Sequence, residues 1–478
     1  MPTNETGFLM HDDTPLLSRR RLLKAGGMGL GMASLGLSPV GRLLAQAGST
    51  SRMHAGYGPL QTAHDLNTGL PLLQLPEGFR YTTFGWAGEA LAGDIACPNK
   101  HDGMGVVAGE GSVVTLVRNH EVGAAPGGSF APAGATWDAD CAGGTTTLRF
   151  DTASGRMVDA RPSLSGTLVN CAGGVTPWGT WLSCEEIVLT RGQKVPIGPD
   201  YIHEMKQSHG YVFEVPADGL SSAEPIVAMG RFKHEAATID PRTGIVYQTE
   251  DGHRRAGFYR MLPAVPGELL RGGRLQMLKA VGAPDLRRGR RQGERLKVAW
   301  VEIEHPDQGA DDDSPTRDEG VVAQGVAGGG SVFTRLEGCI FGDGRVFFTS
   351  TDGGDARCGQ VWAYHPDSEM LELVFESPDP RVLDYPDNVV LSPRGGLVIC
   401  EDSGQPVQRL YGMTGEGGLF EFCRSAVVLD GQGGFSGDFR GAEWAGACFS
   451  PDGKWLFANV YTPGFTVAIT GPWREGLI

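Results

Sequence analysis

Short runs rich in Val, Ile, Phe, Tyr and Thr recur along the chain between Gly, Pro and Asp turns, and helical periodicity is scarce. This pattern predicts an all-β fold of short strands. The runs also repeat one another. Four segments align: CAGGVTPWGTWLSCEE from Cys171, EAATIDPRTGIVYQTED from Glu235, EGCIFGDGRVFFTSTD from Glu337 and DNVVLSPRGGLVICED from Asp387. Each opens on a residue type that can bind metal. An apolar run, a turn and a second apolar run follow, and one or two acids close the segment. Cys171 to Glu186, Glu337 to Asp352 and Asp387 to Asp402 each span 15 positions, and Glu235 to Asp251 spans 16. Looser copies run from Asp102 to Glu121 and from Glu443 to Asn459. Six copies predict a six-bladed β-propeller with insertions between blades.

The spacing carries a geometric expectation. Two strands joined by a short turn form a hairpin whose first and last residues face each other about 5 Å apart. Blades arranged radially would bring these ends together near a central channel. So many carboxylates repel one another unless cations or protons neutralise them. Asp343 and Asp452 fall at hairpin tips and read as turn residues. Asp251 and Asp352 precede Gly, so a turn role and a ligand role both stay open. Glu235, Glu250, Glu337 and Glu401 are not turn formers and stand at strand ends. Cys171 puts a thiol where the other copies have an acid, which favours a transition metal over calcium. A buried structural cysteine is the alternative, and it is the reading for Cys184.

Composition narrows the function class. The 73 glycines fit many tight turns, and a net charge of -15 offers no basic stripe for nucleic acid. The segment Ser18-Arg19-Arg20-Arg21-Leu22-Leu23-Lys24 matches a twin-arginine export signal. A weakly apolar stretch from Ala25 to Val40 and the small-x-small site Ala45-Gln46-Ala47 follow it. The expectation is a removed signal over residues 1–47 and a single domain over 48–478. The twin-arginine translocase is then a partner during export, and the destination is the periplasm or the extracellular space. No stable membrane anchor is expected, and a propeller can close as a monomer. Nine cysteines leave at least one unpaired; Cys97 with Cys141 is a candidate disulfide, and no CxxC pair occurs. Leu286–Lys297, Asp311–Gly330 and Ile187–His209 read as solvated insertions; a lid over the site is the alternative for the first two, and metal binding by His203, Glu204 and His209 is the alternative for the last.

The sequence resembles the PhoX family of alkaline phosphatases. The resemblance is carried by the twin-arginine signal, LPEGFRYTTFGWAGEAL from Leu75, HDGMG from His101, RNHE from Arg118, NCAGGVTPWGTWLSCEE from Asn170, RFKHEAATID from Arg231, YQTEDG from Tyr247, TRLEG from Thr334 and PDNVVLSPRGGLVICEDSG from Pro386. These run in order through most of the mature chain. The resemblance implies a propeller holding two ferric ions and two or three calcium ions that share a bridging oxo group. It makes Cys171 the iron-bound thiolate, with Glu185 and Glu186 as carboxylates of the same blade. Glu235, Glu250, Asp251 and Glu337 are implied as further metal ligands, and Arg335 as the group reaching the substrate phosphate. Asp387, Glu401 and Asp402 are implied for calcium. Asn119, His120, Glu121 and Asp352 are weaker candidates for metal or substrate. The chain is compact for the family, which leaves substrate range open.

These readings combine into an exported phosphomonoesterase acting on small phosphate esters. High-charge cations would bind the phosphoryl oxygens, and Arg335 would stabilise charge in the transition state. Two competing readings remain: a calcium-dependent phosphodiesterase or lactonase on a similar propeller, and a non-catalytic, calcium-stabilised scaffold. Neither requires a thiolate at Cys171.

Overall fold

The computed structural model describes residues 53–197, 201–310, 318–415 and 417–478. The export segment expected over 1–47 lies outside them. Strands dominate, and all the sheets are antiparallel. Each of the six repeats identified in the sequence is a hairpin, and each opens a meander. The hairpins pair His101–Glu110 with Val113–His120, Asn170–Val175 with Thr180–Glu185, His234–Ile239 with Val246–Glu250, Leu336–Gly342 with Arg345–Ser350, Pro386–Leu391 with Leu397–Glu401, and Trp444–Phe449 with Trp455–Val460. The first strands of consecutive hairpins are neighbours, and the Trp444–Phe449 strand returns to His101–Glu110.

Hydrophobic clusters lie between successive sheets. Trp181 and Phe213 pack with Val117 and Leu164 on one side of the second sheet. Leu182 and Cys184 pack with Ala237 and Val246 on the other. Phe348 faces Tyr247 and Phe258, whereas Phe347 faces Val389 and Leu397. Alternate side chains of one strand thus enter different cores, so both faces are apolar and the strands read as nearly continuous hydrophobic runs. The first strands approach closely. A Cβ on Gly174 would lie 1.7 Å from Ala237 O, and one on Gly338 would lie 2.6 Å from Val389 N. The glycines that follow Asp102 and Glu337, Gly103 and Gly338, are therefore a packing requirement.

The last sheet is completed from the other end of the chain. Arg80–Phe84 pairs with Phe465–Thr470, and Leu73–Pro76 extends the preceding sheet beside Leu419–Ser425. Two insertions differ from expectation. Arg295–Ile303 is a strand paired with Gly273–Ala280 and, at its start, with Met370–Glu376; Val298 and Ile303, on its opposite faces, enter two different cores. Val321–Ala327 is a short helix whose Val321 and Val322 cover Leu275 and Met277. All nine cysteines are buried and none forms a disulfide, so Cys97 and Cys141 are not joined: Cys97 packs beside Arg118 and Cys141 beside His209.

Candidate metal centre

Every hairpin carries the same irregularity. Two residues of the first strand oppose one of the second, a β-bulge that leaves the extra residue outside the ladder and re-aims its side chain. The register shift falls between His101 and Met104, Asn170 and Gly173, His234 and Ala237, Leu336 and Cys339, Pro386 and Val389, and Ala445 and Cys448. The first bulge residue is Asp102, Cys171, Glu235, Glu337, Asp387 or Gly446. Five ligand-type residues thus occupy one structural position, and all five are buried.

A second position recurs at the exit of each hairpin. The N–H of Glu121, Glu186, Asp251, Thr351, Asp402 or Tyr461 donates to the carbonyl of the residue that enters the same hairpin: Lys100, Val169, Lys233, Arg335, Tyr385 or Glu443. Bulge, exit and entry residues converge. The ligand atoms of Glu121, Cys171 and Glu186 lie within 4.8 Å of one another; so do those of Glu235, Glu337 and Asp387, and those of Asp387, Asp402 and Glu443. Cys171 Sγ lies 2.8 Å from Glu235 Oε1 and 3.6 Å from Asp102 Oδ2.

Arg335 enters the fourth hairpin with φ 41°, a left-handed conformation that is strained for an arginine. Its backbone is fixed on both sides: its N–H donates to Gly252 O at 2.9 Å, and its carbonyl accepts from Thr351 N at 2.8 Å. The buried guanidinium donates to Asp251 Oδ1 at 3.2 Å and to Glu337 Oε1 at 2.6 Å. A forked cation is thereby set among the acids of the third and fourth hairpins.

The bulges free main-chain carbonyls, and the preceding hairpin satisfies several of them. Asn119 Nδ2 donates to Cys171 O at 2.9 Å, Thr249 Oγ1 to Glu337 O at 2.5 Å and Thr349 Oγ1 to Asp387 O at 2.7 Å. Asn459 Nδ2 donates to Asp102 O. Asn119 also accepts from Trp181 Nε1 and Ser183 Oγ, so its side chain holds the Cys171 bulge in place.

The structure separates the remaining residues named from the sequence. Glu185, Glu250 and Glu401 sit on the ladder itself, where the pleat turns them away from the convergence. Glu185 accepts from the backbone N–H of Leu168, Gly210 and Tyr211 and pairs with His209. Glu250 accepts from Gly257 N and Tyr259 Oη. Glu401 forms a two-pronged pair with Arg409 at 2.7 and 2.8 Å; burial pushes its carboxyl up to about 7, partly offset by that arginine. Asp352 lies one residue past the exit position and accepts from Thr334 Oγ1 and Arg357 Nη2. The His120 ring contacts Asn99 O at 3.1 Å and Thr146 Oγ1 at 2.9 Å, and burial lowers its basicity. His209, expected in a solvated insertion, is buried because Glu185 holds its ring. The sequence reading missed Asp102 and Glu443 as site residues, although each opens one of the two looser repeats.

Among the described residues one cavity runs between the first strands of the hairpins, lined by Gly105, Gly173, Ala236, Cys339, Val389 and Ala447 among others. It lies past the bulges and is largely apolar. The acids and the cavity therefore occupy different lengths of the same centre, and no charged residue among those described lines the cavity.

Comparison with known proteins follows the same line. The sequence model described as alkaline phosphatase PhoX matches residues 55–464. The chain belongs to the PhoX alkaline phosphatase family. Members of the family are metal-dependent and typically exported. The fold is similar to that of Pseudomonas fluorescens PhoX in complex with vanadate, a transition-state analogue: the TM-score is 0.62 at 18% identity, covering 87% of this chain and 97% of that one. A gluconolactonase from Xanthomonas campestris, XC5397, matches with a TM-score of 0.43 at 14% identity, over 88% of this chain and 100% of that one. A search of curated proteins finds no match. No helix among the described residues is long and apolar enough to cross a membrane.

Proposed function

We propose that this PhoX family member is an exported phosphomonoesterase whose six-bladed propeller holds a mixed iron and calcium cluster. Residues 1–47 would serve as the twin-arginine signal and 48–478 as the catalytic domain, acting in the periplasm or outside the cell as a monomer. The observation that carries the reading is the convergence of Asp102, Cys171, Glu235, Glu337 and Asp387 from equivalent bulges, with Arg335 among them.

The donor set fits the proposed ions. Carboxylate oxygens from several hairpins suit calcium, whereas the Cys171 sulfur suits a transition ion and gives calcium nothing. Glu121, Cys171 and Glu186 would hold iron together with Glu235; Asp387, Asp402 and Glu443 would hold calcium. Bound there, the cations would neutralise a phosphate dianion and activate water at ordinary pH.

The chain's own residues supply the rest. Asp251 and Glu337 orient the Arg335 guanidinium, whose planar fork matches two phosphoryl oxygens. The left-handed backbone and the two main-chain hydrogen bonds fix that fork before substrate arrives, so little reorganisation is needed as charge spreads in the transition state. Asn119, Thr249 and Thr349 hold the bulges that aim the ligands.

The vanadate complex of the Pseudomonas fluorescens protein supports phosphoryl chemistry over the lactonase reading. The test is elemental analysis of the purified protein together with hydrolysis of p-nitrophenyl phosphate and of its bis ester. Iron with calcium and preference for the monoester are expected. Calcium alone, or preference for the diester, would overturn the proposal.

A further inference from the structure

We propose that Asp138, Cys141 and His209 form a separate zinc-class metal site outside the channel, with Glu185 orienting its histidine. His209 Nδ1 lies 2.7 Å from Glu185 Oε1, which leaves Nε2 facing Cys141 Sγ at 3.7 Å and Asp138 Oδ2 at 3.9 Å. The three ligand atoms lie within 4.8 Å of one another, and all four residues are buried. A tetrahedral zinc ion would hold its sulfur and nitrogen ligands about 3.5 Å apart and its nitrogen and oxygen ligands about 3.3 Å apart. Small side-chain movements close the difference. One sulfur, one imidazole and one carboxylate suit a borderline-soft ion rather than calcium or magnesium. A carboxylate behind a ligating imidazole is the usual device for fixing its tautomer.

The charges in place suit a cation: the carboxylates of Asp138 and Glu185 both face the His209 ring, and a divalent ion beside them would balance a Cys141 thiolate.

A second buried group, Cys97, His101 and His120, makes a useful contrast. There Arg118 Nη2 donates to Cys97 Sγ at 3.1 Å, so a guanidinium already provides the positive charge. No such arginine contacts the Asp138 group among the described residues.

The location gives the site a structural consequence. Asp138 and Cys141 lie on the excursion that leaves the channel after Glu121. His209 closes the excursion that leaves after Glu186. One ion would tie together the two segments that follow these exit residues.

The experiment uses the full chain loaded with zinc chloride, and anomalous diffraction from its crystals at the zinc edge. A peak between Cys141 Sγ and His209 Nε2 is expected. Elemental analysis of Cys141→Ser and His209→Gln should each show one zinc equivalent lost with iron and calcium unchanged. Absence of the peak in the wild-type protein overturns the proposal, as does unchanged zinc in both variants. If neither variant folds, the wild-type peak alone decides.

Discussion

Glu185 and Glu186 are neighbours in sequence and have opposite fates, as do Glu250 with Asp251 and Glu401 with Asp402. The first of each pair ends the ladder and is enclosed by hydrogen-bond donors of its own sheet and adjoining loops. Glu186 and Asp402 follow the ladder and join the candidate ligand clusters, while Asp251 accepts from the Arg335 guanidinium. One step along a pleated strand reverses the direction of a side chain. The same type of acid thus serves the sheet at one position and faces the convergence of acids at the next. A carboxylate aimed at other carboxylates needs a cation or a proton beside it.

That contrast can be broken experimentally. Chelation should have the largest effect: phosphatase activity on p-nitrophenyl phosphate falls to background and returns on adding iron and calcium. Thermal melting should drop as well, since each ion held at a hundredfold excess over its Kd contributes about 2.7 kcal/mol. Next comes Arg335→Ala, expected to lower turnover at least about a hundredfold while elemental analysis shows metals retained. Unchanged turnover would remove Arg335 from the chemistry. The paired variants Glu186→Gln and Glu185→Gln test the contrast itself. The first should lose iron and activity with little change in metal-free melting. The second should cost about 3 kcal/mol in denaturant unfolding, because a buried carboxylate and its donors lose their match, while the channel keeps its metals. If both variants lose iron equally, the ladder position is no barrier to ligation. The smallest effect is expected for Asp352→Asn, about 1 kcal/mol or less in stability with kcat and metal content unchanged.

Much of this was legible in the repeats. The hairpins, the thiol among acids and the pairing of Cys171 with Glu186 and of Asp387 with Asp402 follow from spacing alone. The bulge was not legible, because an extra residue leaves no mark in an apolar run. Without it the ladder acids and the exit acids look equivalent, and Asp352 looks like an exit residue although Thr351 holds that place. Asp102 was obscured by a longer hairpin with a second register shift between Val106 and Ala108. Glu443 acts from the entry position rather than the bulge, and no spacing rule distinguishes the two. The role of Asn119 depends on a contact between hairpins 52 positions apart, which only folding creates.

The pairing of Arg80–Phe84 with Phe465–Thr470 makes the final strands indispensable to the whole molecule. While the chain is being synthesised, five sheets can form and still leave an open arc. Only when the C-terminal segment emerges can the early strand find its partner, a closure spanning nearly the entire polypeptide and therefore slow relative to local hairpin formation. Asp102 and Glu443 come from the two sides of that seam. A product that stops before residue 465 would thus lose more than one strand of the last sheet: it would present its ligands on an unsealed edge, with no fixed distance between the first and last of them.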